Sequence, residues 1–155
     1  MPTAYINIGS NMGDRAALID RAVAHIEHLC GTSARRAPII ESEPWGYESP
    51  NPFLNLGIAI DTDIAPLQLL HRLQAIELLI SPASHRDSDG NYIDRLIDID
   101  LIAIDEIVVT LPELTLPHPR MHLRRFVLAP MCTLAPNWQH PLLHATASEL
   151  FSRLK

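Results

Sequence analysis

The chain has 155 residues, of which 47% are hydrophobic and 19% are charged, and its formal net charge is −6 at pH 7. This composition predicts a single globular domain over residues 1–155 and excludes a disordered chain. The negative charge argues against nucleic acid or an anionic membrane surface as the main partner. No stretch has the length of a membrane span, and Cys30 and Cys132 form no zinc-binding pattern. We therefore expect a protein of the reducing cytoplasm and, by default, a monomer.

The first half of the chain alternates predicted strands and helices. Strands are predicted at residues 3–8, 36–42 and 53–61 from their apolar patterns. One helix is expected after the N-cap Asp14, ending at Cys30 before Gly31, and a second from Pro66 to Ile80. Residues 43–52, which are dense in proline and aromatics, and the polar residues 81–91 are expected to form loops.

The second half opens with a predicted buried strand at residues 95–104, followed by a short strand at residues 107–109. A proline-punctuated segment then leads to helices at residues 125–134 and 147–154. The order β-α-β-β-α-β predicts an α+β, ferredoxin-like (split βαβ) fold, in which an antiparallel sheet has two helices on one face. This fold serves many functions and does not identify one.

Two carboxylates interrupt the predicted strand at residues 95–104. Ile97, Ile99, Leu101 and Ala103 are expected on one face, so that Asp98 and Asp100 share the other. Neighbouring carboxylates repel each other and are costly to desolvate. A bound Mg²⁺ with substrate phosphates would remove both penalties, whereas a sheet face open to water would leave the aspartates solvated.

Two further pairs suggest a ligand. Phe53 and Asn55 share a strand face with Gly57 and Ala59, while Leu54, Leu56, Ile58 and Ile60 face the core. An aromatic ring beside an amide suits a flat heterocycle, although an aromatic residue could also simply close the end of a sheet. Gln74 and Glu77 share a helix face outside the apolar stripe, where they could reach a nucleotide or a cation, or be solvated.

The segment at residues 117–126, PHPRMHLRRF, holds three arginines and two histidines in an acidic chain, which phosphate binding would explain. The spacing of His118 and His122 could suggest zinc, but Pro119 disfavours a continuous helix there and no third ligand stands out. Gly9-Ser10-Asn11 lacks the glycine-lysine pair of a Walker loop. A nucleotide would therefore be held by arginines and metal.

Taken together, these motifs resemble the 6-hydroxymethyl-7,8-dihydropterin pyrophosphokinase family of the folate pathway, which moves pyrophosphate from ATP to a pterin alcohol. The resemblance extends from Tyr5 to Leu150 and depends on the order and spacing of the motifs. They are YINIGSN at residues 5–11, SEPWG at 42–46, FLN at 53–55, QAIE at 74–77, RLIDID at 95–100 and PHPRMHLRRF at 117–126.

The resemblance implies a role for each matching residue. Asp98 and Asp100 would hold two Mg²⁺ ions between the ATP phosphates and the pterin hydroxyl, and Arg95 would face the phosphates. The implied pterin-binding residues are Ser42, Trp45, Phe53, Asn55 and Phe126. The implied ATP-binding residues are Gln74, Glu77, Tyr92, Thr115, His118 and Arg124.

The chain departs from the family pattern after its second helix. Many members carry two arginines where this chain has Ser81-Pro82-Ala83-Ser84. Our hypothesis is that Arg86, in a lid at residues 81–91, acts as the catalytic arginine, with His85 as a weaker candidate; a solvated Arg86 is the alternative. We expect Mg²⁺-dependent pyrophosphoryl transfer. Rival interpretations are a catalytically weakened pterin- or nucleotide-binding module and a ferredoxin-like regulatory domain that binds a small ligand.

Overall fold

The computed structural model describes residues 1–44, 51–82 and 96–154, and its centre is an antiparallel sheet. The long strands are β1 (Thr3–Ser10), β4 (Phe53–Asp61) and β5 (Asp98–Ile104), and β2 (Arg35–Arg36) and β3 (Ile40–Ser42) both pair with β4. The strands lie in the order β2-β4-β1-β5. If β2 and β3 count as one interrupted strand, this is the predicted ferredoxin-like arrangement, which is confirmed.

The interruption between β2 and β3 corrects one expected element. Residues 36–42 were predicted as one strand, but residues 37–39 lie outside the ladder. Pro38 is among them, and proline has no N–H to donate to a neighbouring strand. The chain resumes pairing at Ile40, opposite Asn55.

Two helices cover one face of the sheet, as predicted. They are α1 (Arg15–Cys30) and α2 (Pro66–Ile80). The Asp14 carboxylate accepts a hydrogen bond from the Ala17 N–H at 3.2 Å, and Gly31 ends α1 with φ 70°. Beneath these helices lies a buried apolar cluster that includes Ile6, Ile8, Ile26, Leu56, Ile58, Leu73, Ile97 and Ile99.

The opposite face is also partly covered. Helices α3 (Arg125–Leu134) and α4 (Ala147–Ser152) pack there over a second apolar cluster, which includes Tyr5, Ala59, Ile102, Val127, Met131, Trp138 and Leu150. Helix α4 ends at Ser152, before the predicted end at residue 154. The order β-α-β-β-α-β predicts two helices on one face of the sheet and does not predict this second layer.

A β-bulge changes the faces of β5. Tyr5 pairs with Ala103, but Ile6 pairs with Leu101, so that Ile102 is an extra residue in the ladder. Ile97, Ile99 and Leu101 lie in the first cluster as expected, whereas Ala103 lies in the second. The prediction that Ala103 shares their face is therefore wrong, because strict alternation does not anticipate a bulge.

Short hairpins follow β5. Strand β6 (Val109–Thr110) pairs with β7 (Thr115–Leu116), and β8 (Gln139–His140) pairs with β9 (Ala145–Thr146). The strand predicted at residues 107–109 therefore begins two residues too early; Ile107 and Val108 are exposed and unpaired within the described ladder. Among the described helices, none combines the length and apolarity needed to cross a bilayer.

Candidate functional site

The carboxylate pair lies on β5, which forms one edge of the described sheet. Asp98 pairs with Gly9, and Asp100 pairs with Asn7, both on β1. Cross-strand partners share a face, so the two aspartates point toward the face that α3 partly covers. Both are half-buried. The sequence prediction that Asp98 and Asp100 lie side by side on one face agrees with this register.

Helix α2 is attached to β5 beside the aspartates. One carboxylate oxygen of Glu77, Oε2, accepts a hydrogen bond from the Ile99 backbone N–H at 2.8 Å. Gln74 lies nearly one turn earlier and is exposed. Glu77 therefore has a structural function, since it satisfies a backbone donor at the edge of the sheet and fixes α2 next to the carboxylate pair.

A cleft of about 350 Å³ opens between α2 and the segment after β6. This volume is within the range of small-molecule sites. The cleft brings together most of the residues assigned to ATP and metal by resemblance: Gln74, Glu77, Asp98, Asp100, Thr115 and His118. Leu70, Leu101 and Leu114 add apolar lining, so the cleft has both an apolar wall and a carboxylate floor.

His118 is held against β5 and stays neutral. Its backbone N–H donates to the Ile102 carbonyl at 2.7 Å, and its Nδ1 accepts from the Arg120 N–H at 3.1 Å. Burial, reinforced by the charges of Arg124 and Arg120, lowers the pKa of His118 to about 4. Because Nδ1 is an acceptor, the proton of the neutral ring is on Nε2, which can donate a hydrogen bond.

Arg124 and Phe126 lie at the start of α3. The Arg124 guanidinium carbon is 5.5 Å from the centroid of the Phe126 ring, a cation–π distance, and its Nη1 is 3.9 Å from Asp100 Oδ2. The Arg124 side chain is only 13% exposed. One largely buried cation thus contacts an aromatic ring and a carboxylate of the site.

The remaining pterin candidates lie on the same sheet face as the aspartates. Asn55 Nδ2 donates to Ser42 Oγ at 2.8 Å, so these two residues form a polar pair at the junction of β3 and β4. Phe53 packs over Gly9, where an added Cβ would be 3.2 Å from Phe53 Cδ1. The expected positions of Trp45, His85, Arg86, Tyr92 and Arg95 lie outside the described residues.

One site residue was missed by the sequence reasoning. Asn7 is only 5% exposed, and its Nδ2 donates to the Phe126 carbonyl oxygen at 2.7 Å. Two signals in the sequence could have pointed to it: a polar side chain at the centre of an apolar strand, and a proline four residues after Phe126.

Across the described ranges, no cluster of three or more His, Cys, Asp or Glu side chains is arranged to hold a metal ion. The carboxylate pair nevertheless fits Mg²⁺. This ion is commonly held by one or two carboxylates, with water and substrate phosphates completing its six positions.

The fold and the cleft define a ferredoxin-like α+β protein. Its small-molecule site lies at the edge of the sheet and is lined by two carboxylates. The chain belongs to the 7,8-dihydro-6-hydroxymethylpterin-pyrophosphokinase family, whose model matches residues 5–136. The predicted family is confirmed, and the chain is an enzyme, a pyrophosphokinase of folate biosynthesis.

Relatives cover nearly the whole chain. A 2-amino-4-hydroxy-6-hydroxymethyldihydropteridine pyrophosphokinase of Porphyromonas gingivalis is 40% identical over 142 residues, which are 91% of this chain and 95% of the relative. The protein of the same name from Bacillus subtilis is 36% identical over 132 residues, 84% of this chain and 77% of the relative.

Solved structures agree in fold. Wild-type HPPK-DHPS of Plasmodium falciparum superimposes with a TM-score of 0.68 at 14% identity, over 98% of this chain and 44% of that chain. An HPPK-DHPS in complex with substrates gives a TM-score of 0.74 at 11% identity, over 98% of this chain and 45% of that one. This chain thus spans less than half of either structure, and at such low identity the likeness concerns the fold alone.

Proposed function

We propose that the enzyme transfers pyrophosphate from ATP to the hydroxymethyl group of 6-hydroxymethyl-7,8-dihydropterin, with AMP as the second product and Mg²⁺ as cofactor. The observation that carries this proposal is the pair Asp98 and Asp100 on the floor of a cleft that also exposes Gln74, Thr115 and His118. The relatives' names support a pterin as the acceptor.

We assign the nucleotide to the cleft and the pterin to the sheet face beneath the start of α3. The cleft has apolar walls for a base and ribose and polar groups for phosphates. The sheet face carries Phe53 and the pair Asn55–Ser42, and Phe126 lies at the first turn of α3. Asp98 and Asp100 lie at the boundary of the two regions, where the reacting groups would meet.

Asp98 and Asp100 would hold two Mg²⁺ ions. When bound, Mg²⁺ would neutralise charge on the phosphates and lower the pKa of the pterin hydroxyl. Both carboxylates line the cleft. Ions held there would be directed toward the cleft.

The chain's own residues would orient the reactants and meet the developing charge. The pterin hydroxyl oxygen bonds to the β-phosphorus, the bond from that phosphorus to the α–β bridging oxygen breaks, AMP leaves, and the hydroxyl proton passes to solvent. His118 Nε2–H would donate to a phosphate oxygen, and Arg124 would supply positive charge beside Asp100. Arg95 and Arg86 are proposed to face the transferred group. Tyr92 is proposed to contact ATP, and Trp45 the pterin.

The test uses ³¹P NMR to identify the products formed from ATP, with and without 6-hydroxymethyl-7,8-dihydropterin. We expect AMP and a pterin diphosphate in equal amounts, only when both substrates and Mg²⁺ are present. Formation of ADP, or AMP release that does not depend on the pterin, would refute the proposal. Pterin binding without turnover would favour the catalytically weakened module.

A further inference from the structure

We infer that Asn7 is a positioning residue for the pterin site, because its amide replaces a hydrogen-bond donor that Pro130 removes from α3. This inference rests on the proposed function, since it concerns Phe126 as a pterin contact.

The first step is the hydrogen bonding of α3. In an α-helix the carbonyl of one residue accepts from the N–H four residues later. For Phe126 that residue is Pro130, which has no N–H and whose ring also pushes the earlier carbonyl away. By contrast, the Arg124 carbonyl accepts from the N–H groups of Val127 and Leu128, each at 3.0 Å. The Phe126 carbonyl therefore needs a donor from outside the helix.

Asn7 supplies that donor. Its Nδ2 lies 2.7 Å from the Phe126 carbonyl oxygen, across 119 residues of sequence. A buried amide on an apolar strand is unfavourable unless it is hydrogen-bonded. The contact thus satisfies a buried donor and a carbonyl that lacks its usual partner four residues later.

Pro130 also determines how closely α3 approaches the sheet. It packs on Gly57, where an added Cβ would overlap the Cβ of Pro130. Gly57 is the register partner of Asn7 on β4. The helix is therefore fixed at two adjacent points of the sheet: by packing at Gly57 and by a hydrogen bond at Asn7.

These two contacts set the position of Phe126 relative to the carboxylates. Asn7 is also the register partner of Asp100 on β5. Arg124, two residues before Phe126, reaches back to Asp100 at 3.9 Å. Loss of the Asn7 amide would free the first turn of α3 and misplace Phe126, while Gln74 and Glu77, on α2, would keep their places.

The experiment measures pterin and ATP affinities separately by calorimetry, with KM and kcat for both substrates, in wild type and Asn7→Ala. We expect the Kd and KM for the pterin to rise about tenfold, the order expected for an unsatisfied buried acceptor, and ATP affinity to fall less, since Arg124 is the one proposed ATP contact beside that turn. Equal losses for both ligands, or an unchanged pterin affinity, would overturn the inference.

A second variant separates positioning from general damage. Pro130→Ala restores an N–H at residue 130, so the Phe126 carbonyl regains a partner within the helix. Asn7→Ala should therefore cost less than about threefold in pterin affinity in the Pro130→Ala background. If Asn7→Ala alone does not fold, recovery of the fold in the double variant supports the inference, and an equally unfolded double variant overturns it.

The outcomes also distinguish this inference from the proposed function. A wild type that neither binds the pterin nor converts ATP to AMP refutes the proposed function, and the role of Asn7 falls with it. A wild type that binds and turns over, while Asn7→Ala does so equally well, refutes the role of Asn7 alone.

Discussion

Phe126 and Arg124 share one turn of chain and depend on each other. The guanidinium lies over the Phe126 ring, so removing that ring affects both the proposed pterin contact and the cation beside Asp100. A cation–π contact of this kind is worth about 0.5–1 kcal/mol at exposed sites and more when it is desolvated.

We predict that Phe126→Ala weakens pterin binding at least about tenfold, because stacking area is lost together with its specific geometry, and weakens ATP binding less. Phe151→Ala is the matched control, since the guanidinium carbon of Arg125 lies over the Phe151 ring, 4.7 Å from its centroid. Calorimetry with each ligand decides: equal losses of pterin affinity in both variants would indicate a general folding effect and remove Phe126 from the site.

Burial of His118 should make the free energy of unfolding depend on pH. Its folded pKa, lowered by burial to about 4, lies below its unfolded value, so the unfolded chain binds more protons between these two pKa values. The free energy of unfolding should therefore fall as the pH drops from about 6.5 toward 4. Burial likewise lowers the pKa of His140, which adds to the same trend.

We predict that His118→Gln flattens this pH dependence, because it removes the buried imidazole. Denaturant unfolding at several pH values between about 4 and 7 measures the slope. An identical slope in wild type and His118→Gln would show that His118 protonates freely in the folded state.

At the scale of elements, β5 serves two cores. Before the bulge its inward residues pack under α1 and α2, and after it Ala103 packs under α3 and α4. Asp98 and Asp100 precede the bulge, where the α3 face of the strand is not yet covered by apolar packing. The same face of β5 thus carries the polar site before the bulge and the second apolar layer from Ile102 onward.

The close contact between α3 and β4 requires that residue 57 has no side chain. Gly57→Ala should lower the free energy of unfolding by about 1–3 kcal/mol and weaken pterin binding, because the added methyl group displaces Pro130 and α3 with it. Gly31→Ala is the control: its Cβ would meet nothing within 4 Å, and only its φ of 70° opposes the change. Gly31→Ala should lose stability without losing pterin affinity.

Thermal or denaturant unfolding combined with pterin calorimetry checks this pair. Wild-type stability and affinity in Gly57→Ala would mean that α3 can move without consequence for the site. That result would also remove one of the two points that fix Phe126.

For the whole molecule, the features predicted from sequence were those with local signals. Asp14, Gly31 and Pro66 determine helix ends through their own backbone and side-chain chemistry, and the alternation in β4 identifies its core face correctly. The residues that line the cleft were assigned through the order and spacing of the family's motifs, because none of them is specific by itself.

The features that were missed depend on partners distant in sequence. The bulge in β5 exists only relative to β1, and the pairing of β6 follows from β7 rather than from its own apolar residues. The contact of Asn7 with Phe126 requires both the register of the sheet and the proline in α3. The sequence shows the polar residue in β1 and the proline in α3 separately, but no local pattern pairs them.

The rival interpretation as a regulatory domain would not need the carboxylate pair, so the pair is where the account can be tested most directly. The decisive measurement is AMP formation from ATP and the pterin alcohol over a Mg²⁺ titration, in wild type, Asp98→Asn and Asp100→Asn. We predict that each variant loses at least about a hundredfold in turnover while remaining folded, since each loses a ligand to the cofactor. Without metal, the thermal midpoint of Asp98→Asn should stay level or rise as repulsion is relieved. Near-normal turnover in either folded variant would contradict the account.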